Sequence, residues 1–229
     1  MLLVSSSRCH PHGYLEHCEE ELRRLFHGIT EIVFVPYARP AGSTHDAYTR
    51  LARERFEQMG FGLRGIHEFD SPRQAVEEAQ GIFTGGGNTF VLLRDLYAND
   101  LIDPLRERIN SGMPYMGTSA GSNIAGMSIG TSNDMPIVHP PSFDALNVVP
   151  FNLNPHFPKT KPDPTHRGET REDRIGEFHC FNEQPVIALY EDGMLRVEKD
   201  DVTLVGESDA IVFRPQSVVE SISPGIVEI

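Results

Sequence analysis

The chain has 229 residues, 39% of them apolar and 23% charged, which is enough material for one full hydrophobic core without disulfide or metal staples. Its formal charge of −13 excludes nucleic acid and anionic membrane as partners, since both demand a basic face, but it leaves room for a small acidic substrate met by a local arginine. Three cysteines without a C-x-x-C pair, no apolar run near the ~20 residues that span a bilayer, and an N-terminal apolar run too short for a secretion signal together lead us to expect a reducing cytoplasm.

In chain order, residues 2–5 read as a strand and 14–26 as an amphipathic helix. Residues 31–37 form a β-branched and aromatic strand, followed by a helix over about 44–59 and a strand over 62–69. Ser71-Pro72 opens a short helix with a capping serine and a proline in its first turn. A strand at 81–84, helices at 88–97 and 102–110, and a strand at 115–117 follow. Strands alternating with helices of this length predict a mostly parallel, doubly wound α/β sheet with helices on both faces and a ligand site beyond the carboxyl ends of the strands. The proline-rich stretch 128–165 reads as a long functional loop. A helix at 169–181, a strand at 185–190 and an antiparallel meander over 194–213 complete a single domain, 1–229, with a C-terminal antiparallel β extension.

Chemistry gathers at the ends of these elements. Gly117-Thr118-Ser119-Ala120-Gly121 fits the G-x-S-x-G pattern of a nucleophile elbow, where a strand turns sharply into a helix with the serine at the apex. Such a turn aims the Ala120 N–H at the place where an oxyanion forms. Gly85-Gly86-Gly87-Asn88 closes a strand and opens a helix; it serves either as a tight βα turn or as a source of N–H groups for an anion. A serine needs a base, and His156 in Asn154-Pro155-His156-Phe157 is one candidate among ten histidines. His139 and His166 read as surface loop residues and His179 as a helix-face residue. For the acid that orients the base, Glu191 at the end of a strand competes with Asp134. Arg171 is either a cation for a substrate carboxylate or a surface arginine paired with its acidic neighbours.

Five motifs occur together and in order: Gly85-Gly86-Gly87-Asn88-Thr89-Phe90, Gly117-Thr118-Ser119-Ala120-Gly121, Asn133-Asp134-Met135-Pro136, Asn154-Pro155-His156-Phe157 and Gly168-Glu169-Thr170-Arg171. In this the chain resembles peptidase E, the α-aspartyl dipeptidase family, from Leu3 to Glu191. The resemblance implies a fold like that of class I glutamine amidotransferases and a cytoplasmic serine dipeptidase for Asp-Xaa peptides, with no metal or other cofactor, working as a monomer or homodimer. It implies Ser119 as nucleophile, His156 as base and Glu191 as acid of a Ser-His-Glu triad, with Gly87 and Ala120 as oxyanion donors. It further implies substrate contacts from Arg171, Asn88 and Asp134, the last also standing as second-choice acid. Thr118, where a bulky aromatic can precede the serine, and Ser122 after the elbow depart from the family pattern. A cyanophycinase-like β-aspartyl peptidase is the alternative.

Overall fold

The computed structural model describes residues 1–39, 41–160, 167–216 and 218–229. Strands β1 (Leu2–Val4), β2 (Glu31–Val35), β3 (Gly62–Gly65), β4 (Ile82–Thr84) and β5 (Tyr115–Thr118) alternate with helices α1 (Glu19–Leu25), α2 (His45–Gln58), α3 (Pro72–Glu78), α4 (Thr89–Ala98) and α5 (Ile102–Asn110). These five strands lie parallel in the order β3-β2-β4-β5-β1. The sheet continues beyond β1 with antiparallel β8 (Met194–Glu198), β9 (Asp201–Val205) and β12 (Gly225–Val227).

Alternation along the strands divides the core in two. Leu2, Val4, Ile32, Phe34, Phe83 and Met116 face the layer of α1 and α2. Leu3, Val33, Val35, Ile82 and Tyr115 face the layer of α3, α4 and α5. Both faces are covered, so the parallel strands are buried throughout. Aromatic rings fill the first layer: Phe34 lies 4.8 Å from Phe83 and 5.0 Å edge-on to Tyr48, and Phe56 stacks on Phe83 at 5.4 Å. Local chemistry sets the helix starts as the sequence leads one to expect. Thr44, Ser71 and Asn88 each accept the backbone N–H three residues on.

The second half of the chain departs from the expected meander. The strand β10 (Ala210–Arg214) does not follow β9 in the same sheet. It pairs antiparallel with β7 (Val186–Leu189) and β11 (Val218–Ile222), while β6 (Asn152–Asn154) runs parallel to β7. This second sheet presses Leu153, Ile187, Leu189 and Val212 onto the main core. Its other face, Val186, Ala188 and Phe213, meets Ile175 of α7 (Arg171–Phe178) and Phe157. Because β10 carries apolar residues toward both faces, it belongs between two strands of a covered sheet and not at the edge left by β9; the short β12 fills that edge instead.

Three further boundaries shift. Helix 14–26 is reduced to α1, because Leu15 sits at φ 58° with its N–H bound to Ser7 O, which holds residues 14–18 in turns. The strand expected over 62–69 gives way after Gly65 to a 3-10 turn at Ile66–Glu68. The helix expected over 169–181 spans only α7, where Thr170 and Asp173 form a capping box. The segment 128–160 contains β6 and is pinned by side chains: Asn154 Nδ2 donates to Thr131 O and Thr131 Oγ1 to Leu153 O. His139 is exposed, whereas His166 and the end of the loop at Thr165 lie outside the described residues. No helix among the described residues is long and apolar enough to cross a membrane.

Phe83 is fully buried between two rings, so Phe83→Ala opens a cavity the neighbours cannot close. The expected loss is about 3–5 kcal/mol, read as a lower midpoint in urea with an unchanged slope.

Candidate active site

Strand β5 passes directly into the short helix α6 (Ala120–Asn123), and Ser119 is the joint, at φ 52° and ψ −110°. A non-glycine residue held there costs on the order of 1–3 kcal/mol, so its surroundings must hold it. The Ser119 N–H donates to Val4 O at 3.0 Å, and Ser119 O accepts from Ser122 and Asn123 N–H, both at 2.9 Å. Close approach explains the flanking glycines. A Cβ on Gly121 would fall on the Thr84 carbonyl, and one on Gly117 on the Gly121 carbonyl. Ser122 is fully buried and points its Oγ back at the Val4 and Gly117 carbonyls, 2.8 Å from each, so it braces the elbow and does not line a pocket.

The Gly85-Gly86-Gly87 turn lies against this joint. A Cβ on Gly86 would stand 2.9 Å from Ser119 Cβ. Gly87 has φ 148°, and a side chain there would strike Ala38 O, which accepts the Asn88 N–H at 2.7 Å. Among the described residues neither the Gly87 nor the Ala120 N–H has an acceptor.

His156 follows β6 at φ 58°. Its Nε2 lies 2.9 Å from Ser119 Oγ, and its Nδ1 lies 2.9 Å from both Oε1 and Oε2 of Glu191, in the turn after β7. The three side chains sequence reasoning ranked first thus meet in one line, and Asp134, the second-choice acid, is elsewhere. The Glu191 side chain is 53% exposed and His156 35%, so solvent screens their charge interaction and the contact chiefly orients the ring.

Several groups hold His156. Ser5 Oγ accepts the His156 N–H at 2.8 Å and donates to Leu189 O at 3.1 Å, tying β1, the base and β7 at one atom. Arg171 Nη1 donates to the Pro155 and His156 carbonyls at 3.0 and 2.5 Å. Lys159 reaches from the base segment to Asp192 beside Glu191, at 3.0 Å. Burial works against the Asp192 carboxylate, yet Ser208 and Lys159 together hold its pKa below the usual range. Ser5 escaped sequence reasoning, since a serine in Val4-Ser5-Ser6-Ser7 carries no mark of what it will touch.

The three residues expected to contact substrate are engaged structurally as well. Asn88 caps α4 through Oδ1 and donates from Nδ2 to Met135 O at 2.8 Å, so both ends of its amide are occupied. Asp134 Oδ2 accepts the Thr89 N–H at 2.7 Å and the Thr89 hydroxyl at 2.6 Å, which fixes the 132–135 segment to the positive end of α4. Arg171 is half-buried. Burial and then Arg174 lower its pKa, while Glu191 and Asp134 act in the opposite direction.

With this geometry in hand, comparison with known proteins is decisive. The pattern of Peptidase family S51 matches residues 1–205. The chain belongs to Peptidase family S51. Over 98% of its length it is 45% identical to the probable α-aspartyl dipeptidase of Drosophila melanogaster, covering 93% of that protein. It is 44% identical to the peptidase E of Streptomyces coelicolor, covering 98% of this chain and 91% of that one. The crystal structure of a peptidase from an acI-B1 Actinobacterium superposes with a TM-score of 0.70 at 19% identity, over 97% of this chain and 95% of the other, so the fold is shared. The S51 assignment and the doubly wound α/β architecture agree with what the five motifs implied.

Ser5 gives the S51 site a sharp test. Ser5→Ala leaves the buried end of the His156 N–H without an acceptor, a penalty of about 1–3 kcal/mol. We expect a melting point lower by several degrees, and a kcat about tenfold below wild type as the base drifts from Ser119.

Proposed function

We propose that this S51 peptidase is a single-domain aspartyl dipeptidase that hydrolyses Asp-Xaa through Ser119, His156 and Glu191. The observation that carries the reading is His156, joined through one ring nitrogen to Ser119 and through the other to Glu191, each at 2.9 Å. Its relatives named α-aspartyl dipeptidase and peptidase E support the substrate class.

In the first half-reaction Ser119 Oγ attacks the aspartyl carbonyl while His156 Nε2 takes the hydroxyl proton, and Glu191 holds the tautomer with the proton on Nδ1. The tetrahedral oxyanion receives the Gly87 and Ala120 N–H groups. Collapse breaks the C–N bond, and His156 returns its proton to the leaving amine. Water, deprotonated by the same ring, then cleaves the aspartyl ester and regenerates Ser119. Arg171 uses Nη1 on the base segment and offers its remaining N–H groups to the substrate's β-carboxylate. Asp134 binds α4 through Oδ2 and turns Oδ1 to the substrate's α-ammonium, beside the Asn88 cap.

A reducing cytoplasm suits the thiols: Cys9, Cys18 and Cys180 are all free, and burial pushes Cys18 up to about 12.

The test is hydrolysis of Asp-Leu with EDTA present throughout. Wild type is expected to cleave it and to spare Ala-Leu. Ser119→Ala is expected to lose at least ~10⁴-fold in kcat. Because Glu191 is half in solvent, Glu191→Gln is expected to lose less, about 10²–10³-fold. Full activity in Ser119→Ala would sink the mechanism. Cleavage of iso-Asp-Leu in place of Asp-Leu would transfer the site to the β-aspartyl class.

A further inference from the structure

Arg39 stands at the carboxyl end of β2, half-buried, and among the described residues no carboxylate pairs with it. Acidic side chains outnumber basic ones 33 to 20, and Arg23, Arg53, Arg55 and Arg196 each hold a glutamate within 3 Å. Arg64, Arg108 and Arg171 lack a carboxylate too, but each donates to backbone carbonyls, which Arg39 does not do among the described residues. A half-desolvated guanidinium with no carboxylate partner among the described residues is able to receive an anion from outside.

Its position ties it to the reacting serine through direct contacts. The Arg39 guanidinium carbon lies 4.0 Å from the centre of the Tyr48 ring, which holds it by a cation–π contact. Tyr48 Oη donates to Gly86 O at 3.3 Å, and Gly86 lies against the Ser119 side chain. The preceding residue, Ala38, accepts the Asn88 N–H and packs on Gly87, so the Arg39 backbone is fixed to the oxyanion turn. Tyr14 shares the core layer of Tyr48 and is nine-tenths buried, and its hydroxyl has no hydrogen-bond partner among the described residues.

The side of the sheet tells which part of a substrate reaches it. Asn88 and Asp134 sit at the start of α4, in the layer on one face of the main sheet, and Arg171 opens α7 over the second sheet on that same side. Tyr48 and Tyr14 belong to the α1 and α2 layer on the opposite face. Ser119 lies between them, at the carboxyl end of the central strand β5. A dipeptide whose aspartyl half occupies the first side therefore carries its leaving residue toward the second.

We propose that Arg39, seated on Tyr48, binds the C-terminal carboxylate of the leaving residue and so restricts the enzyme to dipeptides. This assignment rests on the dipeptidase reading and makes Arg39 a specificity residue, remote from the proton transfers. A tripeptide presents an amide where the dipeptide presents a charge, and a guanidinium fork distinguishes the two.

The experiment compares kcat/KM for Asp-Leu and Asp-Leu-amide in wild type, Arg39→Gln and Arg39→Lys. Wild type is expected to prefer the free acid by about 10–100-fold, the range of a charge-assisted hydrogen-bonded pair. Arg39→Gln should collapse that ratio toward one, mainly through KM, and Arg39→Lys should restore part of it. A merely structural role for Arg39 lowers both substrates together and leaves the ratio at its wild-type value; that result overturns the proposal. A ratio near one already in wild type overturns it as well. Failure of wild type to cleave either substrate removes the dipeptidase reading itself, and the Arg39 assignment with it.

Discussion

Ser119 is held at a positive φ by its neighbours, and much of the fold follows from keeping it there. A strand can pass into a helix within one residue only if nothing stands in the space the turn sweeps. Here that space is cleared by Gly117, Gly121 and Gly86, each so close to a carbonyl or to Ser119 that a methyl group would collide. Side chains reinforce the turn through its carbonyls: Ser122 Oγ lies 2.8 Å from those of Val4 and Gly117, and Tyr115 Oη donates to Gly121 O at 2.7 Å. The strain is thus offset by hydrogen bonds that involve two strands, β1 and β5, and the same crowding brings the Gly87 turn against Ser119.

His156 and Glu191 come from a different sheet than Ser119, so their meeting depends on how two sheets are joined. The joint is small and specific. Ser5, one residue past β1, accepts from the backbone of His156 and donates to Leu189 at the end of β7. Arg171 clamps the carbonyls on either side of the same turn. These contacts fix the backbone of His156, while Glu191 fixes only its ring. On the proposed mechanism, that division explains how a triad could tolerate an acid half in water: the placement of the imidazole relative to Ser119 is secured by backbone contacts, and the carboxylate need only select a tautomer.

The parallel half of the fold was legible because its determinants are local. Capping residues at 44, 71 and 88, β-branched strands and the glycine punctuation each act within a few positions. The elbow and the order of the motifs were legible for the same reason. What was not legible depends on distant partners. Nothing around Ala210–Arg214 tells whether it pairs with β9 or with β7; the open flank of β7 decides. An apolar run over 14–26 has helical spacing, yet Leu15 is drawn into a turn by Ser7. Arg171 could be chosen as important from its motif, but not that one of its nitrogens is spent on the carbonyl of the very histidine it accompanies.

A net charge of −13 poses a problem for any enzyme whose substrate carries two carboxylates and one amine. Distance resolves it. At physiological ionic strength exposed charges fade beyond about 8 Å, so most of the acidic surface is silent at the crevice, whereas a partly desolvated guanidinium at contact range is not. The positive elements near Ser119 are few and short-ranged: the start of α4, Arg171 on one side of the sheet and Arg39 on the other. An acidic exterior does nothing to speed the encounter with an anionic peptide. It does leave binding to these inner contacts, and a ligand that lacks a carboxylate in the right place gains nothing from entering. On the proposed reading selectivity comes from the scarcity of positive charge, and each arginine is decisive because no general attraction competes with it.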